Sequence, residues 1–224
     1  MSGQEHRLGE RWRIAAALVA VAGLLAFSGY MFWWQDWKYG LPTPRPAGLR
    51  QPPTGSMAAL PAPLARLREQ TPHQPLFLHF FNPDCPCSRF NEDHIKALVR
   101  AHRSTTKFVA IVEPEGGTLD RDAVARAERD LGMRAMLDER GDIGRALGVY
   151  STPQAVIVNA DGSLYFRGNY NVSRYCGNAQ TEYARLALEH ILAGAPYSAP
   201  EGATVAYGCA LPALANTAAA SGTQ

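Results

Sequence analysis

The sequence has few cysteines and little excess charge, and each scarcity excludes a class of protein. Four cysteines in 224 residues are too few for a fold built on disulfides, so apolar packing must supply the core. The formal net charge is only +2, and no basic stripe of the kind that binds nucleic acid is present. We therefore expect no nucleic-acid partner. Apolar residues make up 46% of the chain and charged residues 19%, which is the balance of an ordinary globular protein.

One long uncharged segment, residues 14–34, lies near the N-terminus. A helix of that length covers about 30 Å, the thickness of the hydrocarbon layer. Three arginines precede the segment, namely Arg7, Arg11 and Arg13. Four aromatic residues cluster at its far end, namely Tyr30, Trp33, Trp34 and Trp37. Because positive charge stays on the cytoplasmic side and aromatic rings favour the interface, this pattern predicts a single-pass anchor with a cytoplasmic N-terminus.

A cleaved signal peptide is the alternative interpretation of the same segment. Ala26-Phe27-Ser28 fits the small-x-small pattern of a cleavage site. The apolar run continues past that point and ends in aromatic residues, which favours the uncleaved anchor. The prediction from this segment is a membrane-anchored protein whose C-terminal domain lies outside the cytoplasm.

Composition divides the chain into five parts. Residues 1–13 form a cytoplasmic N-terminus, and residues 14–34 form the anchor. Residues 35–59 are rich in proline and are expected to form an extended linker that buries little. Residues 60–197 form the folded domain. Residues 198–224 form a C-terminal tail, which we expect to be partly disordered because its end is rich in Ala, Ser and Thr.

Strand and helix patterns alternate along the folded domain. Short apolar runs predict strands, apolar residues at helical spacing predict helices, and Asp161-Gly162 is a strong hairpin signal. The predicted strands are 75–81, 107–112, 136–137, 155–158 and 163–167. The predicted helices are 88–102, 119–132, 141–147 and 181–192. This order predicts an α/β fold with a mixed sheet and helices on both faces.

The segment around the first two cysteines resembles a known family. A buried strand (LFLHFF), a turn with paired cysteines (NPDCPC) and a following helix are similar to the active-site arrangement of thioredoxins. The extra helix and short strand between Asp120 and Asp138 resemble the insertion in the redoxin branch of the thioredoxin-like superfamily, which includes membrane-anchored periplasmic thiol–disulfide proteins. This resemblance implies an inner-membrane protein whose C-terminal domain lies in the periplasm. The resemblance implies a thioredoxin-like mixed sheet over residues 60–195. One departure is clear, since thioredoxins carry two residues between the cysteines and this chain carries only Pro86.

Cys85, Pro86 and Cys87 are the predicted reactive centre. The N-terminus of a helix carries partial positive charge, so a thiol placed there is stabilised as the nucleophilic thiolate. Cys85 is expected to be the attacking sulfur and Cys87 its resolving partner. A Cys85–Cys87 disulfide across one residue is expected to be strained, and therefore oxidising.

Two further predictions concern residues distant from this pair. Ser151-Thr152-Pro153 precedes a strand and resembles the cis-proline loop that faces the dithiol in this superfamily. The resemblance implies that Thr152 and Pro153 orient a substrate segment, whereas an ordinary trans proline is the alternative. Cys176 and Cys209 are expected to form a structural disulfide in an oxidising compartment, and a relay with the reactive centre is the alternative.

Two functions are compatible with these residues. The first is a membrane-anchored thiol–disulfide oxidoreductase that needs no cofactor and acts on protein thiols or disulfides. The second is a Cu(I)-binding module or copper chaperone, because paired thiolates suit Cu(I). In that alternative Cys85, Cys87 and His94 are the candidate ligands.

Overall fold

The computed structural model describes residues 2–37, 40–113, 121–172 and 177–213. It divides into two compact units, residues 1–40 and 41–224. The first unit is helical: α1 spans Ser2–Phe32, and a π-helical turn, Trp33–Trp37, follows it. Within this unit the stretch Glu10–Gln35 is long and apolar enough to cross a membrane, judged by length and composition alone. The predicted span 14–34 lies inside this stretch.

The second unit contains seven strands and seven α-helices among its described residues. The strands are β1 Leu76–Phe81, β2 Lys107–Val112, β3 Arg134–Leu137, β4 Ser151–Thr152, β5 Gln154–Val158, β6 Leu164–Gly168 and β7 Cys209–Ala210. The helices are α2 Ala62–Gln70, α3 Pro86–Phe90, α4 Glu92–His102, α5 Arg121–Leu131, α6 Asp142–Leu147, α7 Tyr183–Leu192 and α8 Glu201–Thr204.

Five strands form one mixed sheet in the order β3-β2-β1-β5-β6. β1 pairs in parallel with β2, and β2 pairs in parallel with β3. β5 pairs antiparallel with both β1 and β6. The predicted mixed sheet is therefore confirmed, and so is its thioredoxin-like class.

The sheet has an apolar core on each face, because side chains alternate along its strands. Phe77 and Phe81 of β1 pack on one face with residues of α4, α5 and α7. Leu78 and Phe80 pack on the other face with residues of α2 and α6. All six residues of β1 are buried, and β1 is the central strand of the sheet, which fixes the position of the turn that follows it.

The proline-rich segment differs from the predicted free linker, because residues 41–59 pack on the domain. Thr43 is buried, and its N–H donates to the carbonyl of Ala206 at 2.8 Å. Further along, the N–H of Gly55 donates to the carbonyl of Leu164 at 2.7 Å. The N–H of Leu164 donates in turn to the carbonyl of Ser56 at 2.8 Å. The segment thus covers part of the outer edge of β6, which would otherwise present unpaired backbone groups.

One helix prediction needs correction. The predicted helix 88–102 is two helices, α3 and α4, which meet at Asn91. The side chain of Asn91 donates from Nδ2 to the carbonyl of Cys87 at 3.1 Å, and such local bonds compete with a continuous helix. The predicted start of the next helix, at residues 119–120, lies outside the described residues.

Candidate active site

Cys85 stands at the turn between the central strand β1 and helix α3. The turn is held by Asn82, whose side-chain Oδ1 accepts from the N–H of Asp84 at 2.8 Å. The carbonyl of Asn82 also accepts from the N–H of Cys85 at 3.1 Å. Pro86 occupies the first helical position, where its missing N–H costs no helical hydrogen bond. Cys85 is therefore the residue that immediately precedes the helix, as predicted.

Cys85 forms a disulfide with Cys209, which lies 124 residues further along the chain. The two Cα atoms are 6.2 Å apart. This bond corrects two predictions, because neither a Cys85–Cys87 bond nor a Cys176–Cys209 bond is the one that the structure holds. Cys176 itself lies outside the described residues.

Cys87 completes a group of three sulfur atoms. It is a fully buried thiol, and its sulfur and those of Cys85 and Cys209 all lie within 4.8 Å of one another. A thiolate can attack a disulfide sulfur that it can reach, forming a new disulfide and displacing the other sulfur. The site therefore brings a nucleophile and an exchangeable bond together.

The loop before β5 faces this group. The Thr152-Pro153 peptide bond is cis, which confirms the predicted conformation. The Thr152 hydroxyl donates to the carbonyl of Phe80 at 3.1 Å and lies 2.9 Å from the hydroxyl of Ser88. The carbonyl oxygen of Thr152 is 3.8 Å from the sulfur of Cys85. The loop is thus fixed to both β1 and α3, with its backbone beside the disulfide.

Ser88 was not among the predicted site residues. It is fully buried, and its hydroxyl joins Thr152 to the backbone of the cysteine turn, since the N–H of Asn82 donates to it at 3.4 Å. The role of Ser88 depends on its contacts with Thr152 and Asn82, which are distant along the chain or across a turn, so the sequence offers little signal for it.

The C-terminal segment, residues 206–211, forms the other wall of the site. Strand β7 pairs antiparallel with β4, and Cys209 is opposite Thr152. The Ser151 hydroxyl donates to the carbonyl of Tyr207 at 2.8 Å. This segment belongs to the tail that we predicted to be partly disordered. Cys209 is the feature of the sequence that indicates an ordered segment here, but the sequence alone does not identify the cysteine that bonds to it.

Two histidines lie on the same side of the sheet as Tyr170. His79 is fully buried, and its Nδ1 is 2.8 Å from the hydroxyl of Tyr170. Burial, reinforced by the nearby His94, lowers the pKa of His79 to about 3, so it is neutral at physiological pH. Burial also lowers the pKa of His94, which the Glu182 carboxylate partly opposes.

The ligand set of the copper alternative differs from the predicted one. His94 packs edge-on against Tyr170 with ring centres 6.0 Å apart, and its Nδ1 is 3.9 Å from a carboxylate oxygen of Glu182. Within the described part of the chain, the group with metal-ligand spacing is Cys85, Cys87 and Cys209. The fold therefore brings Cys209, rather than His94, to the cysteine pair. Once the Cys85–Cys209 disulfide is reduced, the three cysteines supply soft thiolates, which fit Cu(I) by their chemistry.

The strand order, the cysteine turn after the central strand and the cis-proline loop define a protein of the thioredoxin-like class. Residues 57–211 match the model of a family described as a domain of unknown function, DUF6436. The chain belongs to that family. No curated protein matches the chain.

Several solved structures are similar to this one. A hypothetical protein from Sinorhizobium meliloti 1021 is 18% identical, with a TM-score of 0.58 over 73% of this chain and 96% of that chain. An uncharacterized conserved protein from Geobacillus kaustophilus is 22% identical, with a TM-score of 0.53 over 62% and 77%. A secreted Mycobacterium tuberculosis disulfide oxidoreductase, homologous to E. coli DsbE, is 21% identical, with a TM-score of 0.41 over 52% and 82%. The first two likenesses concern the fold.

Proposed function

We propose that this protein is a membrane-anchored, extracytoplasmic thiol–disulfide oxidoreductase that acts on protein thiols or disulfides through Cys85. One observation carries the proposal. Cys85 precedes a helix beside the cis-proline loop and is joined to a cysteine 124 residues away, with a third sulfur within 4.8 Å. A disulfide that only stabilises the fold does not need a thiol, here that of Cys87, beside it.

The chemistry follows from the three sulfurs. In the reduced protein the Cys85 thiolate attacks a disulfide of the substrate, which forms a mixed disulfide and releases one substrate thiolate. A second cysteine then attacks Cys85, which forms an internal disulfide and releases the second substrate thiol. Two electrons pass from the protein to the substrate, and the reverse sequence oxidises a substrate dithiol. Cys209 is the cysteine that forms this internal disulfide with Cys85 in the structure, and the sulfur of Cys87 lies within 4.8 Å of both bonded sulfurs. Thr152 and Pro153 line the site where a substrate segment would lie.

The compartment is part of the same proposal. Disulfides persist in oxidising compartments and are rare in the cytosol. The arginines before the apolar helix favour a cytoplasmic N-terminus, which places the domain on the other side of the membrane. We therefore propose the inner membrane and the periplasm as its location.

Exchange with glutathione disulfide tests this function in the full-length protein, purified in detergent and reduced. We expect the wild-type chain to consume glutathione disulfide, and Cys85→Ser to lose at least about 100-fold in rate, because the attacking thiolate is gone. Cys176→Ser is the matched control, since it removes one cysteine and leaves the three clustered sulfurs in place. Equal rates for Cys85→Ser and the wild-type chain would show that Cys85 is not the reactive residue.

Copper binding is the second candidate, and the position of Cys209 favours it. The three sulfur atoms lie within 4.8 Å of one another, and reduction of the Cys85–Cys209 bond would make all three available as soft thiolate ligands. A Cu(I)-binding module is expected to hold one Cu(I) per reduced chain against a competing chelator, and to lose it in Cys209→Ser. Retention of Cu(I) in Cys209→Ser together with loss in His94→Ala would instead support Cys85, Cys87 and His94 as the ligands.

A further inference from the structure

The C-terminal segment, residues 206–211, runs along the cis-proline loop and is bonded to Cys85 through Cys209. Cys209 and Ala210 pair with Thr152 and Ser151 in an antiparallel ladder. One residue further on, the N–H of Leu211 donates to the carbonyl of Tyr150 at 3.0 Å. Such backbone pairing with the edge of a loop or sheet accepts many sequences, because it uses main-chain groups. This pairing positions the sulfur of Cys209 at the sulfur of Cys85, to which it is bonded.

One position in this segment is selective. Gly208 has φ +110°, which lies in the left-handed region that favours glycine. A Cβ atom at this position would lie 2.5 Å from the carbonyl oxygen of Thr152 and 3.4 Å from its carbon. That carbonyl belongs to the cis-proline loop and is fixed by the contacts of Thr152 with Phe80 and Ser88. The site therefore fits a glycine directly before the cysteine and resists any larger residue.

The covalent geometry has the form of a captured substrate. Cys85, the residue at the start of the helix, is bonded to a cysteine that arrives on an extended strand paired with the cis-proline loop. The sulfur of Cys87 lies within 4.8 Å of both bonded sulfurs, so the bond is within reach of an internal nucleophile.

We propose that residues 206–211 are a tethered stand-in for the substrate, that Cys209 is a third redox cysteine, and that the substrate is a polypeptide with an extended Gly-Cys segment. This inference rests on the proposed oxidoreductase function and adds its substrate class. The substrate thiolate attacks the sulfur of Cys85, and the Cys85–Cys209 bond breaks. A Cys85–substrate disulfide forms, while Cys209 leaves as a thiolate and takes up the proton that the substrate thiol released. The number of disulfides does not change, so no oxidant or reductant is consumed.

Two peptides and two versions of the full-length chain test the proposal. The peptide Ala-Tyr-Gly-Cys-Ala-Leu copies residues 206–211, and the matched control replaces its glycine by alanine. Each is activated as a mixed disulfide with thionitrobenzoate, whose release reports attack by a protein thiolate. The first chain carries Cys87→Ser, Cys176→Ser and Cys209→Ser, so Cys85 is its single cysteine. The second chain carries only the first two substitutions and keeps Cys209.

We expect the single-cysteine chain to capture the glycine peptide about tenfold faster than the alanine peptide, because the alanine Cβ meets the Thr152 carbonyl. Free glutathione is expected to attack both peptides at the same rate, which controls for their intrinsic reactivity. In the chain that keeps Cys209, the captured peptide is expected to be expelled within the experiment as Cys85–Cys209 forms, which mass spectrometry detects. In the single-cysteine chain the captured peptide stays bound.

The outcomes separate this inference from the proposed function. Equal capture of the two peptides, or a peptide that stays bound in the chain that keeps Cys209, would overturn the stand-in role while leaving Cys85 reactive. The disulfide of cysteamine with thionitrobenzoate is the small-molecule control. If Cys85 in the single-cysteine chain attacks neither this reagent nor the peptides, then the oxidoreductase function itself is wrong.

Discussion

Gly208 is the residue whose identity the site constrains most directly. Its φ of +110° and the 2.5 Å approach of a Cβ to the Thr152 carbonyl both disfavour a side chain. We expect Gly208→Ala to lower the free energy of unfolding by about 2–3 kcal/mol, because a left-handed conformation and a steric overlap each add a cost. Urea unfolding with the disulfide intact measures this change.

Gly194→Ala is the matched control for that substitution. Gly194 also has a positive φ, of +68°, but a Cβ there would meet nothing within 4 Å. We expect it to cost only about 1 kcal/mol, from the backbone conformation alone. Equal losses for the two variants would show that the Thr152 carbonyl moves aside easily and that the site does not select glycine.

Glu113 contacts the end of the described tail, and its raised pKa makes the stability of the fold depend on pH. Its carboxylate accepts a hydrogen bond from the N–H of Ala213. Burial raises the pKa of Glu113 to about 7 from an ordinary 4.5, and the nearby Asp138 adds to the rise, while the bond from Ala213 and the charge of Arg145 oppose it. Between pH 4.5 and 7 the folded chain therefore keeps a proton that the unfolded chain releases, so stability contributed by this group falls as pH rises through that window.

The expected result is a difference between wild type and Glu113→Gln. The wild-type free energy of unfolding should fall relative to that of the variant from pH 5 to pH 7.5, since the variant carries no titrating group at this position. Comparing the two chains at each pH removes the opposite contribution of His79, whose pKa is lowered to about 3. A constant difference across this range would contradict the raised pKa of Glu113.

The sequence predicted the local parts of the site and not its long-range partner. Cys85, Pro86 and the cis Thr152-Pro153 bond follow from short motifs next to strands, which constrain their own surroundings. The partner of Cys209 depends on where a distant segment pairs, and that pairing rests on backbone bonds and on Gly208. The sequence alone therefore left the cysteine connectivity open, and the pair Cys176–Cys209 was the wrong choice.

At the scale of elements, β7 is held by a short ladder and one covalent bond. It comprises only two residues, Cys209 and Ala210, and its partner β4 is equally short. Closing a loop across 124 residues is expected to stabilise the fold by about 5 kcal/mol in the chain-entropy model. The strand itself contributes little cooperative pairing without the disulfide.

We expect Cys209→Ser to loosen residues 206–211 while the main sheet persists. Hydrogen–deuterium exchange in this segment should rise by at least about tenfold, because its amides then lose the restraint of the disulfide. Helix α7, residues 183–192, serves as the internal control and should keep its protection. Unchanged protection of residues 206–211 would mean that backbone pairing alone holds the segment, and that no substrate displaces it readily.

The elements of the sheet were largely predictable because their burial pattern is regular. The strand at residues 107–112 agrees with its prediction, and the others differ by one or two residues at their ends. The break at Asn91 was missed because it depends on a side-chain bond to Cys87. The packing of residues 41–59 was missed because proline-rich composition does not reveal edge pairing with β6.

For the whole molecule, the proposed location depends on the stretch Glu10–Gln35, which is long and apolar enough to cross a membrane. If it is an uncleaved anchor, the full-length chain should stay in the membrane pellet after alkaline carbonate extraction, because about 20 apolar residues hold a helix in the bilayer. An otherwise identical chain in which Leu18 and Leu24 are replaced by Arg is the control, and it should be extracted. A soluble product shortened near residue 28 would support the signal peptide instead.

The most direct test of the central claim is a redox titration of the folded, full-length protein. The protein is equilibrated in glutathione buffers of increasing oxidation, alkylated, and analysed by mass spectrometry for the Cys85–Cys209 bond, while circular dichroism follows the fold. We expect this bond to open and close reversibly in protein that stays folded, with Cys85 appearing in mixed disulfides with glutathione. A Cys85–Cys209 bond that resists every buffer until the protein unfolds in denaturant would contradict a redox role for Cys85.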